Sequence, residues 1–269
     1  MSRIEDALVK ARTDTVFETV ESANAEPDRQ LKSIDFAGLP SQRPDEDLLV
    51  ENRIVAAQPD SASRSVYKML RTRVLHRMRA SNWNALGVSG SAPGEGKTLS
   101  AINLAYSLSH DVNYEVILVD FDLRRPSIHS VLGLEPEKDL ESYIRGDASL
   151  EEILIRPGEK RLAVLPNATS HRDSSEVLSS PQIVNLVGEL RSLGRNTITV
   201  FDLPPVLAGD DVLAFSPLMD AILLVVAEGI CKRPNLLAMQ ELLKESEVIG
   251  VVLNRSREQS SSMEYYGYY

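Results

Sequence analysis

The stretch that most restricts what this chain can become is Ser91-Ala92-Pro93-Gly94-Glu95-Gly96-Lys97-Thr98. It stands between an apolar run at 85–89 and a segment in which Leu99, Ile102, Leu104 and Ala105 fall at helical spacing. Glycines in a strand-to-helix turn let backbone N–H groups face inward on phosphate oxygens, and the helix N-terminus behind them adds partial positive charge. Residues Pro93, Gly94, Glu95, Gly96, Lys97, Thr98 and Leu99 are therefore expected to line a nucleotide, ATP. Lys97 should reach its β and γ phosphates and the Thr98 hydroxyl should ligate Mg2+. The general pattern has Gly five positions before Gly96; here that position is Ser91, with Gly90 beside it.

Apolar runs alternate with helical stretches from there on, at 85–89, 116–120, 162–165, 197–202, 221–227 and 248–253. Their apolarity is continuous rather than alternating, which predicts strands covered on both faces. The fold class expected is α/β: a P-loop NTPase with a mostly parallel twisted sheet flanked by helices on both faces. Ser180 and Pro181 supply an N-cap and first helical position before Ile183, Leu186, Val187 and Leu190.

Two of the strands end in acids. One closes as Val119-Asp120-Phe121-Asp122-Leu123-Arg124-Arg125-Pro126, the other as Phe201-Asp202-Leu203-Pro204-Pro205. Ligands of open α/β sheets gather at the C-terminal ends of strands, so these carboxylates should meet the glycine loop. Magnesium takes oxygen ligands and keeps several waters, so Thr98 with Asp122 and Asp202 is sufficient protein input. Asp120 is then the candidate to orient or deprotonate an acceptor hydroxyl; which of Asp120 and Asp122 takes which task stays open.

Charge and composition narrow the partners. Net charge is −10, which argues against nucleic acid bound by overall positive charge. The single Cys231 forms no internal disulfide and the first residues lack the apolar core of a secretory signal, so a cytoplasmic site is expected. No apolar run is long enough to span a bilayer. Residues 1–60 read as a short helix, with Ile4, Leu8 and Ala11 in its apolar stripe, followed by a linker rich in Glu, Asp, Ser and Pro that is expected to be mostly disordered over 13–55. Residues 61–258 form the catalytic domain and 259–269 a flexible tail. At the start of that domain, Arg64, Lys68, Arg71, Arg73, Arg77 and Arg79 share a helix with the stripe Val66, Leu70, Val74 and Met78. This is a solvated face, a subunit contact or a surface for acidic membrane.

Pro-Gly-Glu-Gly-Lys-Thr, Asp-Phe-Asp-Leu-Arg-Arg-Pro-Ser and Asp-Leu-Pro-Pro-Val-Leu, in that order, resemble the bacterial tyrosine kinases of exopolysaccharide synthesis, over about residues 60–269. The resemblance extends to Gly250-Val251-Val252-Leu253-Asn254-Arg255 and implies that Asn254 and Arg255 lie by the adenine. It also implies that Tyr265, Tyr266, Tyr268 and Tyr269, four tyrosines in the last five residues, are the phosphoacceptors. Partitioning and division-site ATPases share the fold but usually carry a second Lys five positions before the loop lysine, where this chain has Ala92. The family helix before the loop typically reads Glu-x-x-Arg-x-x-Arg; here the positions are Ser65, Lys68 and Arg71, and only the last matches.

The activity implied is an ATP- and Mg2+-dependent autokinase that phosphorylates its tail in trans and regulates exopolysaccharide polymerisation or export. The resemblance further implies a homo-oligomer and a membrane-anchored polysaccharide co-polymerase as activator, which would recruit this chain to the inner face of the cell membrane. Two other readings stay in play: an ATP-binding assembly regulator with little phosphotransfer, and a partitioning-type ATPase that hydrolyses ATP irrespective of the tail.

Overall fold

A computed structural model describes residues 33–257 apart from 60, 62, 159, 160 and 195. The expected terminal helix at 1–12 and the tyrosine tail lie outside the described residues.

Six parallel strands form one sheet: β1 (Ala85–Gly90), β2 (Glu115–Asp120), β3 (Leu162–Leu165), β4 (Thr197–Asp202), β5 (Ala221–Ala227) and β6 (Val248–Asn254), in the order β3-β2-β4-β1-β5-β6. Parallel neighbours need long crossovers, here carried by helices. These include α1 (Glu46–Glu51), α2 (Arg64–Ser81), α3 (Lys97–Ser109), α4 (Ile128–Leu132), α5 (Leu140–Ile144), α6 (Ser174–Leu178), α7 (Pro181–Arg191), α8 (Asp211–Phe215) and α9 (Arg233–Leu242). Successive strand residues feed opposite faces. Ile117 and Val119 join one core with Leu186 and Leu190 of α7, while Val116 and Leu118 join the other with Ile102 and Leu104 of α3. The continuous apolar runs are thus explained, and the Ser180 hydroxyl caps α7 by accepting from the Ile183 amide.

The terminal run departs from this rule. β6 is an edge strand, and Val248, Val251 and Leu253 are 38%, 58% and 59% exposed. Continuous apolarity marks a strand but not its place in the sheet order.

A second correction concerns the expected linker. The described part of that segment, from Ser33 on, is packed into the same unit as the sheet rather than free ahead of position 61. Ile34, Phe36 and Leu39 are buried in the α7 face of the core, and Ile54 and Ala56 in the α3 face. Polar contacts fasten the segment as well: the Arg156 amide donates to the Pro40 carbonyl at 2.8 Å and the Ala56 amide to Asn103 Oδ1 at 2.9 Å. Acidic average composition concealed a handful of apolar anchors, each of which repays its own ordering entropy. Phe36→Ala should therefore cost about 3–5 kcal/mol in a denaturant melt, where a linker residue would change stability by less than about 0.5 kcal/mol.

The basic helix α2 is partly consumed by packing. Arg71 donates to the Ser107 carbonyl at 2.9 Å, Arg77 to the Ile249 carbonyl, and Arg79 to the Tyr114 hydroxyl at 2.7 Å. Val74, Leu75 and Met78 are buried beneath it.

Candidate active site

β1 ends on Gly90, where no side chain fits: a Cβ would lie 2.4 Å from the Val225 carbonyl and 2.7 Å from Glu95 Oε2. The loop that follows is shaped by its own carboxylate. Glu95 is fully buried, and the amides of Ser91 and Ala92 donate to Oε2 at 2.6 and 2.8 Å while the Ser91 hydroxyl donates to Oε1 at 2.7 Å. Ser91, in place of the usual glycine, thus serves as a hydroxyl strut for the loop. The Glu95 side chain is thus spent on fixing the loop backbone, which leaves its main chain to line a nucleotide.

Gly96 enters α3 at φ +89, and a Cβ there would meet Asn254 Nδ2 at 2.2 Å. Asn254 comes from the end of β6 and donates to the Glu95 carbonyl at 2.9 Å, so it buttresses the loop from outside. Arg255 follows at φ 56, with its amide on Asn254 Oδ1 at 2.8 Å. Leu99 turns its side chain into the α3 face of the core, which leaves only its backbone for a ligand. Pro93 and Gly94 form the exposed rim.

The carboxylates converge beside this loop. Asp120 and Asp202 end adjacent strands and are register partners. Both are wholly buried. Phe121, Phe201 and Phe215 lock the strand ends, with ring centroids 4.9 to 5.6 Å apart. Asp120 Oδ2 accepts from the amides of Ser127 and Ile128, each at 2.9 Å, and Oδ1 has no partner. Neither oxygen of Asp202 has a partner at hydrogen-bonding geometry, although the Thr98 hydroxyl lies close enough to favour its ionised form. Burial pushes Asp202 up to about 7, against the pull of Thr98 and Lys97. Burial, reinforced by the charge of Asp202, holds Asp120 well above the ordinary carboxylate range. Asp122, just beyond the strand, is half-buried; burial raises it and Lys97 draws it back down.

Unpartnered buried oxygens are costly unless something fills the gap. Three of them, beside a buried Lys97 that forms no ion pair among the described residues, fit a cation carried on phosphate. No cluster of three or more His, Cys, Asp or Glu suited to a metal occurs among the described residues. Magnesium, which keeps water and takes phosphate oxygens among its ligands, would need only a few oxygens from the protein. Thr98, Asp120, Asp122 and Asp202 are thus brought together with Lys97 as expected. Asp211 and Ser174 were not foreseen. Asp211 pairs with Arg124 at 3.0 Å and raises Asp122 by its charge; the acidic Gly209-Asp210-Asp211 after the double proline was the available signal.

Comparison with known proteins gives the following. A family model described as the CobQ/CobB/MinD/ParA nucleotide binding domain matches residues 87–267. "Tyrosine-protein kinase YwqD" of Bacillus subtilis (strain 168) is 28% identical over 220 residues, covering 81% of this chain and 91% of the relative. "Succinoglycan biosynthesis transport protein ExoP" of Rhizobium meliloti (strain 1021) is 29% identical over 212 residues, covering 76% of this chain but only 26% of that longer protein. Among solved structures, "the chimerical protein CapA2B2" matches with a TM-score of 0.70 and 25% identity over 90% of this chain and 99% of that one.

Proposed function

This chain belongs to the CobQ/CobB/MinD/ParA nucleotide-binding family and is an enzyme of the bacterial tyrosine-kinase type; from that premise we propose that it transfers the γ-phosphoryl group of ATP to Tyr265, Tyr266, Tyr268 and Tyr269 of a neighbouring copy. The observation that carries the reading is the set of three buried, unpartnered carboxylate oxygens on Asp120 and Asp202, the latter near Lys97 and Thr98 of the glycine loop.

The loop amides and Lys97 hold the phosphates and spread the charge of the transferred group. Thr98, Asp122 and Asp202 would hold magnesium directly or through water. When bound, the ion would neutralise charge on the phosphate oxygens. Asp120 suits the proton-accepting role because two amides fix one of its oxygens, leaving the other buried, unpartnered and unusually basic. A free tyrosine hydroxyl has a pKa of about 10, so a raised carboxylate is better matched to it than an ordinary one.

No helix among the described residues is long and apolar enough to cross a membrane. A membrane-anchored co-polymerase would therefore recruit this chain to the inner face of the membrane and activate it. The likeness to CapA2B2 and to a transport protein of polysaccharide synthesis supports this. A cytoplasmic setting and a homo-oligomer belong to the same proposal.

Incubation with labelled ATP and magnesium tests the reading. Wild type should retain label, and changing the four tail tyrosines to Phe should remove it while leaving ATP binding unchanged. Ser65 and Lys68 stand where the resemblance has Glu and Arg, which favours a second reading, the ATP-dependent assembly regulator. Absence of label even with the partner's cytoplasmic segment present would select it, and steady phosphate release indifferent to the tail would select a simple hydrolase.

A further inference from the structure

One buried polar network beside the site joins the loops that follow three different strands. Arg124, two residues beyond Asp122, donates through Nε to the Ser174 hydroxyl at 2.8 Å and pairs through Nη2 with Asp211 Oδ2 at 3.0 Å. The Ser174 hydroxyl donates in turn to Asp211 Oδ1. Ser174 begins α6 after β3, and Asp211 begins α8 after β4. Ser174 and Asp211 are 1% and 2% exposed, so the acid is a committed partner, whereas the Arg124 side chain keeps 41% of its surface. Gly209 closes over the pair: a Cβ there would lie 3.0 Å from Asp211 Oδ2 and 3.1 Å from Arg124 Nη2.

The arrangement solves a problem of placement. An arginine within reach of Asp122, whose Oδ1 already accepts from the Arg125 amide at 3.2 Å, could pair with it through two hydrogen bonds and occupy both of its oxygens. Asp122 is needed elsewhere. We propose that Asp211, with Ser174, is a positioning residue that holds the Arg124 guanidinium away from Asp122, so that Asp122 stays open to the phosphate side of the site. The inference rests on the phosphoryl-transfer reading.

The test is a double-mutant cycle of R124A, D211A and R124A/D211A. It is read by tail phosphorylation, by phosphate release from ATP, and by the magnesium concentration that half-saturates binding of a fluorescent ADP analogue. D211A should lower turnover by about 10–100-fold, the scale of a small misplacement in an active site. Its KM for ATP should change by less than about threefold. It should also raise the magnesium requirement. Because the freed arginine is the harmful group, R124A/D211A should recover to within about threefold of R124A in every readout. A merely structural ion pair predicts the opposite, a double variant as impaired as D211A or more so, and that result overturns the proposal, as does a D211A enzyme that matches wild type. Should D211A fail to fold, D211N, alone and with R124A, keeps the volume and removes the charge. If wild type does not label its tail, the kinase reading fails, and the magnesium titration still decides the role of Asp211 without any turnover.

Discussion

Asp120→Asn is expected to lower tail phosphorylation by about 10²–10⁴-fold, the range for loss of a positioned proton acceptor, while the protein becomes more stable at pH 8. The two effects have one origin. The Asn carbonyl can keep both bonds from Ser127 and Ile128 that now go to Oδ2, and its amide nitrogen takes the place of the unpartnered Oδ1. The loop is held as before, but nothing accepts the tyrosine proton. Stability moves the other way because burial and Asp202 raise the proton affinity of Asp120 in the folded chain. A carboxyl raised on folding costs stability as pH climbs from its ordinary value through its folded one, and the cost remains above it. At pH 8 the variant escapes that cost. Rates of label transfer, melting temperature and binding of a magnesium-ADP analogue check the three parts. A variant that binds nucleotide and transfers label within about threefold of wild type would move the proton-accepting role to Asp122.

The parts of this site that were legible in the sequence are those imposed by local chemistry. A glycine loop between a strand and a helix has few other uses, and an acid closing a buried apolar strand has little reason to be there unless the strand end meets a ligand. That Asp120, Asp202, Lys97 and Thr98 would converge was therefore legible without a structure. The parts that were hidden depend on contacts between distant segments. Nothing in Pro-Gly-Glu-Gly tells that Glu95 folds back on Ser91 and Ala92, or that Asn254, 159 residues from Glu95, crowds the space beside Gly96. Arg124 and Asp211 are likewise separated by a whole β-α-β passage. The strap at 33–59 was missed for a different reason: an average over forty residues weighs many acids against a few anchors, although Ile34, Phe36 and Ile54 decide where the segment lies. Strand order was also out of reach, so the exposed β6 looked like its buried neighbours.

Asp202→Asn is expected to reverse the usual link between stability and ligand response. Asp202 is fully buried, neither of its oxygens has a partner, and its pKa stands at about 7 in place of 3.8. The folded protein therefore binds this proton more tightly than the unfolded chain does, so the stability it contributes declines from about pH 4 to about pH 7 and stays lost above. A rise of that size corresponds to at most about 4 kcal/mol at pH 8. Asn carries no charge, which removes this slope and also lifts one cause of the raised Asp120. The unliganded variant should accordingly melt higher than wild type at pH 8 and no higher at pH 4, where both side chains are neutral. With magnesium-ATP the order should invert. Saturation of wild type at a hundred times its dissociation constant adds about 2.7 kcal/mol, and a variant without the carboxylate should gain much less. Thermal melts at the two pH values, with and without magnesium-ATP, supply all four comparisons. Equal magnesium-dependent gains in both proteins would show that Asp202 is a buried acid without a part in holding the ion. A higher melting temperature together with a lost magnesium response would identify it as a residue kept at the expense of stability for what it binds.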